Sequence, residues 1–367
     1  MFGKTSLTKD AVIDALKDVM DPDLHKSIVE LGFVKNVQIS GGNVRFDVEL
    51  TTPACPVKEQ LKIACHQKVS ALPGVSKVEV NMTAAVRASA PQRGDVLRGV
   101  KNVVAVASGK GGVGKSTTAA NLALALAQTG ASVGLQDADI YGPSVPMMFG
   151  VSGKCRQGET GVIPHEAHGI KLMSMGFFTD ENTPVIWRGP MVHGILQQFL
   201  TQVSWGELDY LVIDLPPGTG DAQLTLTQMA PLSGAVIVTT PQDVSLLDAR
   251  KGLKMFQDVK VPVLGIVENM SYFECGHCHH RTEIFRHGGG RRTAAELGVP
   301  FLGEVPLDPA VVVGGDAGMP IVVAEPSSPV AAAYRDIAKQ VAAALSVKSL
   351  GGGQVPMVEI RWQQAAK

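Results

Sequence analysis

The 367-residue chain has only five cysteines, an odd number unevenly spread, which excludes the disulfide-stapled framework of a small secreted domain. A reducing, cytoplasmic setting is expected. Neither sign of charge is in excess, since 33 Lys plus Arg stand against 34 Asp plus Glu. That balance gives no general attraction to nucleic acid or anionic membrane, and leaves only a local basic patch open. No apolar run reaches the roughly 18–20 residues of a membrane-spanning helix. The start, MFGKTSLTKDAVIDALKDVM, lacks the apolar stretch of a secretory signal. What remains is a globular chain, 45% apolar and long enough for two domains.

Residues 1–88 read as a small α/β domain. Thr8 can cap a helix whose Val12, Ile13, Leu16, Val19 and Met20 lie near one face. Two strands follow, FVKNVQIS and NVRFDVEL, joined by Gly41 and Gly42. In the second, Val44, Phe46, Val48 and Leu50 alternate with polar residues as in a half-buried strand. A helix from Pro56 to about Leu72 and a strand from Val75 to Met82 complete the unit. RASAPQRGDVLRG breaks the pattern, so residues 89–99 read as a linker.

Residues 100–348 alternate apolar runs with helical stretches. Strands are expected at 103–107, 131–136, 170–175, 210–214, 235–239, 263–267 and 301–305, with helices at 115–128, 191–202, 221–229, 245–257 and 330–345. Apolar strands separated by helices indicate a mostly parallel sheet covered by helices on both faces. The tail, 349–367, opens on glycines; Val358, Ile360 and Trp362 alternate as in a strand, without an evident role.

VVAVASGKGGVGKSTTAANLALALA carries most of the information. Gly109, four residues, then Gly114-Lys115-Ser116 fit a P-loop between a strand and a helix. Glycines let backbone N–H groups turn toward phosphate oxygens, and the helix N-terminus adds partial positive charge. On this reading Gly109, Lys110, Gly111, Gly112, Val113, Gly114, Lys115, Ser116 and Thr117 line the phosphates. Lys115 holds the β and γ phosphates, and Ser116 ligates Mg²⁺. Asp137 and Asp139 in LQDADIYGPSVP, and Asp214 in LVIDLPPGTGD, end later strands and converge on the same crevice. Asp139 suits orientation of a water and Asp214 a carboxylate on the metal's side; Asp137 alone reads equally as a helix cap. The N-K-x-D tetrapeptide of guanine readers is absent, and GIVENMS instead ends a strand with Asn269, so ATP is expected.

ECGHCHH places Cys275 and Cys278 two residues apart in a loop beyond Asn269. Two thiolates are half of a four-ligand site. A redox pair would need a strand-to-helix junction, and RTEIFRHGGG does not open an obvious amphipathic helix. Zinc with His277, His279 or His280 stays open, as does a four-thiolate cluster site shared by two chains on a two-fold axis.

The loop KGGVGKS resembles the deviant P-loop of dimeric ATPases such as nitrogenase iron protein and the cell-division and plasmid-partition ATPases. That resemblance implies a homodimer in which Lys110 reaches the bound phosphates, and an adenine-side role for Asn269. SGKGGVGKST, DADIYGPSVP, WRGPMVHGILQQFL, DYLVIDLPPGTGD, TTPQDVSLLDARKG and ENMSYFECGHC together resemble the Mrp/ApbC family of iron-sulfur cluster carrier ATPases, from about residue 100 to 345. The resemblance implies a bridging 4Fe-4S cluster on Cys275 and Cys278, slow ATP hydrolysis with Lys110, Lys115, Asp139 and Asp214 as catalytic residues, iron-sulfur assembly proteins as donors and apo-proteins as recipients. Gly276 stands where many members have proline.

DPDLHKSIVELGFV and LTTPACPVKEQL resemble the PaaD-like iron-sulfur assembly domain. Cys55 sits where a helix is expected to begin, which favours thiolate; it reads either as an accessory iron or cluster ligand or as a packed small residue. Cys65 reads as core and Cys155 as a loop thiol. The rival functions are a positioning or partition ATPase and an ATPase with a structural zinc site. A membrane-bound positioning ATPase would need a basic amphipathic C-terminal helix, and this tail has Gly351–Gly353, Pro356 and few basic residues.

Overall fold

A computed structural model describes residues 7–89, 96–178 and 189–351. The chain divides into two compact units, one built from residues up to Val86 together with those from Ser346, the other from Arg87 to Leu345.

In the first unit, α1 (Lys9–Leu16) begins where the Thr8 hydroxyl accepts from the Ala11 N–H. Strands β1 (Val34–Ser40) and β2 (Asn43–Leu50) pair antiparallel through a turn at Gly41 and Gly42, both at positive φ. After α2 (Lys58–Ser70), β3 (Lys77–Ala84) returns parallel to β2. The buried face of β2, namely Val44, Phe46, Val48 and Leu50, packs with Val12, Leu16, Leu61, Cys65 and Val69. Burial of these side chains is the main stabilising term of so small a unit. Leu350 packs against the same core.

The second unit is a twisted, mainly parallel sheet. In chain order its elements are β4 (Val100–Ala107), α3 (Lys115–Ala127), β5 (Val133–Asp137), α4 (Val145–Met148), β6 (His165–Ala167), β7 (Ile170–Ser174), α5 (Gly189–Thr201), β8 (Leu208–Asp214), α6 (Asp221–Met229), β9 (Gly234–Thr239), α7 (Asp243–Asp258), β10 (Val263–Glu274), β11 (Arg281–Thr282), α8 (Gly289–Leu297), β12 (Phe301–Leu307), α9 (Pro309–Asp316), α10 (Ile321–Ala324) and α11 (Pro329–Ser349). Across the sheet the order is β6-β7-β5-β8-β4-β9-β10-β11, with β6 and β11 antiparallel and β12 pairing parallel with β10. β4 lies at the centre, buried over almost its whole length, so the loop leaving its carboxyl end opens at the middle of the sheet edge.

Two segments depart from expectation. Leu97, in the stretch read as linker, is buried and its N–H donates to the Leu200 carbonyl. Arg87 and Ser89 are tied to Asn102 of β4 by hydrogen bonds of 2.6–3.1 Å. RTEIFRHGGG, read as helix-poor, runs directly into α8. Gly288 caps that helix from the left-handed region (φ 69), and a side chain on Gly289 would meet Leu246 at 2.6 Å. Close packing, not helix propensity, requires these glycines. The strand-like alternation at 358–362 and the Trp187-Arg188 pair lie outside the described residues.

Candidate functional site: a phosphate loop and a cysteine hairpin

The loop from Gly109 to Gly114 leaves β4 and enters α3, with Gly112 (φ 80) and Gly114 (φ 79) in the left-handed region. At Gly109 a side chain would meet the Asp248 backbone of α7 at 2.2 Å, whereas at Gly111 and Gly112 it would meet nothing within 4 Å. The loop is therefore held from behind by α7 and open on its inner glycines, as a phosphate cradle must be. The Ser108 hydroxyl donates to Lys110 O at 2.8 Å, and Gly218 of the loop after β8 donates its N–H to Ser108 O at 3.0 Å. Lys110 has no ion pair among the described residues.

Lys115 is 6% exposed, and its Nζ lies 2.5 Å from Asp214 Oδ1, 3.2 Å from Ser116 Oγ and 3.9 Å from Asp139 Oδ2. Burial pushes the Asp214 carboxyl upward and the neighbouring ammonium pulls it back down. Asp214 Oδ2, fully buried, has no hydrogen-bond partner. An orphaned carboxylate oxygen beside a serine hydroxyl is a donor set that fits Mg²⁺. Asp139 is 14% exposed and faces the same ammonium, its carboxyl raised by burial against the pull of Lys115.

The structure separates the two aspartates that the sequence left adjacent. Asp137 is fully buried and accepts from the N–H groups of Asp139, Ser144 and Val145 and from the Ser174 hydroxyl, at 3.0–3.2 Å. Burial, and after it the Asp214 charge, push its carboxyl up to about 7. Its Oδ2 takes three of these four bonds, so it shapes the loop that carries Asp139. Asn269, expected to face the base, uses its amide to donate to Val113 O at 2.9 Å and so holds the P-loop itself. Thr117 lies in the first turn of α3.

β10 does not end at Asn269. It continues to Glu274, where β11 folds back on it with Phe273 opposite Thr282 and Glu274 opposite Arg281. Cys275 and Cys278 occupy the tip of this hairpin, closed by Cys275 N–H to His280 O at 3.0 Å and His279 N–H to Cys275 O at 2.9 Å. The N–H of Cys278, then that of His277, hold the Cys275 thiol below the usual cysteine range. Cys275 is partly exposed and Cys278 exposed. Among the described residues, the set of three His, Cys, Asp or Glu ligand atoms within 4.8 Å of one another is Glu268, His287 and Glu304, which includes neither cysteine.

Cys55 does not begin a helix, and it packs against the core, as the second of its two readings had it. α2 starts at Lys58, three residues later, and burial, opposed by the Val57 N–H and assisted by Asp21 and Asp23, raises the thiol to about 11. In the metal-free chain it is a protonated thiol beside the core. Cys65 is fully buried, as expected.

Residues 99–342 match the family model of the NUBPL iron-transfer P-loop NTPase. The chain belongs to this family. Residues 9–82 match the model of an iron-sulfur cluster assembly protein. An iron-sulfur cluster carrier protein from Synechocystis is 57% identical over 94% of this chain and 99% of its own. Among solved structures, a nucleotide-binding protein from Archaeoglobus fulgidus in complex with ADP is 43% identical, covering 63% of this chain and 91% of its own, with a TM-score of 0.56. The cell-division ATPase MinD of Pyrococcus furiosus (21% identity, 65% and 98% coverage, TM-score 0.52) shares the fold of this chain. No helix among the described residues is long and apolar enough to cross a membrane.

The sequence pointed to every residue of the phosphate loop and to both cysteines. It did not point to Glu268, Arg281, His287 and Glu304, which share no periodicity and meet only through the pairing of β10 with β12 and the return of β11.

Proposed function

We propose that this chain is an iron-sulfur cluster carrier that binds and slowly hydrolyses ATP, acts as a cytoplasmic homodimer, takes a cluster from iron-sulfur assembly proteins and passes it to apo-proteins. Residues 1–88 serve as the assembly domain and 100–348 as the ATPase. The observation that carries the reading is the placement of a two-thiol half-site, with Cys275 partly exposed and Cys278 exposed, in the hairpin loop that directly follows the strand whose Asn269 holds the P-loop. One chain supplies two thiolates with no third ligand converging on them among the described residues. A second copy of the hairpin completes four, which suits a bridging 4Fe-4S cluster.

Bound ATP draws Lys115 from Asp214 to its phosphates, with Gly109–Thr117 around them and Lys110 serving the dimer's nucleotide. Ser116 and Asp214 would hold Mg²⁺, which neutralises phosphate charge. Asp139 orients the attacking water and accepts its proton. Asn269 ties the loop to β10 and thus to the cysteines. Cys55 is an accessory ligand only where a metal replaces its proton.

The test is iron, zinc and acid-labile sulfide per dimer after anaerobic reconstitution, in the native chain and in C275A/C278A. Iron and sulfide that vanish in the double variant support the carrier. Zinc without sulfide, or iron unchanged in the variant, sinks it.

A further inference from the structure

The polar group behind the cysteine hairpin is not accounted for by ATP or cluster binding. Glu268 and Glu304 are paired across β10 and β12, and His287 joins them. Such a trio could attract a cation, but the positive charge is already present. Arg281 lies 3.0 Å from His287 Nδ1 and 3.2 Å from Glu304 Oε2, and Arg291 lies 3.6 Å from Glu304 Oε1. Glu268 accepts from the Ser271 hydroxyl at 2.6 Å and from the N–H groups of Gly288 and Gly290 at 3.2 and 2.5 Å. Two carboxylates balanced by two guanidiniums leave no net negative charge to draw a metal ion. The arrangement is a clamp.

Arg281 is the first residue after the cysteine loop. Its guanidinium lies over the Tyr272 ring, 3.5 Å from the centroid, so one side chain fastens the return strand to both β10 and β12. Upstream on β10, Asn269 grips the P-loop. Between the grip and the clamp, Met270 stands in the left-handed region (φ 55), where the ladder with β12 shifts register. A non-glycine residue persists there only when its surroundings hold it, and such positions mark switchable segments.

We propose that Arg281 is a positioning residue that fixes the Cys275–Cys278 hairpin to β10 and β12, so that a nucleotide-driven shift of the P-loop at Val113 passes along β10 to the thiols. This rests on the proposed nucleotide and cluster sites and names the residue through which one acts on the other. Lysine cannot substitute, because it lacks the planar fork that stacks on Tyr272 while bonding Glu304.

The experiment uses the full, reduced, metal-free chain. Iodoacetamide labelling rates of Cys275 and Cys278 are read by mass spectrometry with and without a non-hydrolysable ATP analogue and Mg²⁺. In the native chain the analogue changes the rate by about fivefold or more, the scale of an ordinary allosteric coupling. In R281Q, R281K and E304Q the ratio falls to within about twofold of one, while the analogue's Kd stays within about twofold of native. A native ratio in R281Q overturns the assignment, and a ratio near one in the native chain overturns the coupling. Failure of the carrier reading is seen separately, as iron retained by C275A/C278A. Iron bound by that double variant and lost on adding E304Q would overturn the clamp in favour of a metal site.

Discussion

Replacing Lys115 by methionine tests the buried pair on which the nucleotide site is built. Lys115 and Asp214 are 6% and 0% exposed with 2.5 Å between Nζ and Oδ1, and Asp214 Oδ2 has no partner. Removing the ammonium strands a buried carboxylate, a loss of about 3–5 kcal/mol. At about 2–4 °C per kcal/mol for a unit of this size, the nucleotide-free chain should melt about 6–20 °C lower. Lys115→Met with Asp214→Asn removes both charges and should recover most of that loss. Because the two units can unfold separately, the probe must follow one of them. Trp205 is buried in the second unit, so a chain carrying Trp187→Phe and Trp362→Phe reports that unit by fluorescence. pH adds a second check. Without Lys115, burial is the largest influence on Asp214, the Asp139 charge adds to it, the Ser116 hydroxyl opposes it, and the folded pKa lies above the unfolded one. The folded state then binds the proton more tightly, so stability falls as pH rises through the folded pKa, and the deficit of Lys115→Met narrows in acid. If Lys115→Met melts with the native chain, or the double variant is no more stable than the single one, the reasoning fails.

Gly114→Ala forces a left-handed alanine and sets its Cβ 2.2 Å from Asn269 Nδ2. The backbone alone loses about 1–2 kcal/mol, so titration with a fluorescent ADP should show affinity reduced about tenfold or more. Asp139→Asn should lower ATP hydrolysis by about 100-fold with nucleotide affinity retained, as expected for loss of a general base. Asp137→Asn should instead lower the stability followed at Trp205 by about 1–3 kcal/mol, since an amide NH₂ would face an N–H donor that now meets a carboxyl oxygen. At neutral pH iodoacetamide should reach Cys275 before Cys55, Cys155 or Cys65, whose thiols burial raises to about 11, 11 and 12. Because the Cys275 thiol lies low, its reactivity should persist to pH values at which an ordinary cysteine, near pKa 8.5, has lost its thiolate.

The architecture was largely legible in the chain because its signals are local. Val103 to Ala107 followed by a glycine loop and an Ala/Leu-rich run states strand, phosphate loop and helix within one stretch, and the alternation of Val44, Phe46, Val48 and Leu50 states a one-sided strand. The helix α8 was hidden because its glycines, poor in helix propensity, are required by the close approach of Leu246 and Glu268.

By itself the sequence determined which chemistry the chain carries: a phosphate loop at the end of a buried strand, carboxylates at later strand ends, and a cysteine pair that one chain leaves incomplete. Spacing along the chain suffices for that, since each motif is a few residues long. Only the tertiary structure decided where these groups stand and what surrounds them. It buried Asp137 among four donors and left Asp139 facing Lys115, turned Asn269 onto the P-loop, and kept the Cys55 thiol protonated beside the core. It also joined Glu268, Arg281, His287 and Glu304 into one clamp behind the cysteines. The physical reason is that charge state and reach depend on burial and on strand register, and Glu268 and Glu304, 36 residues apart in sequence, meet only when their parallel strands pair.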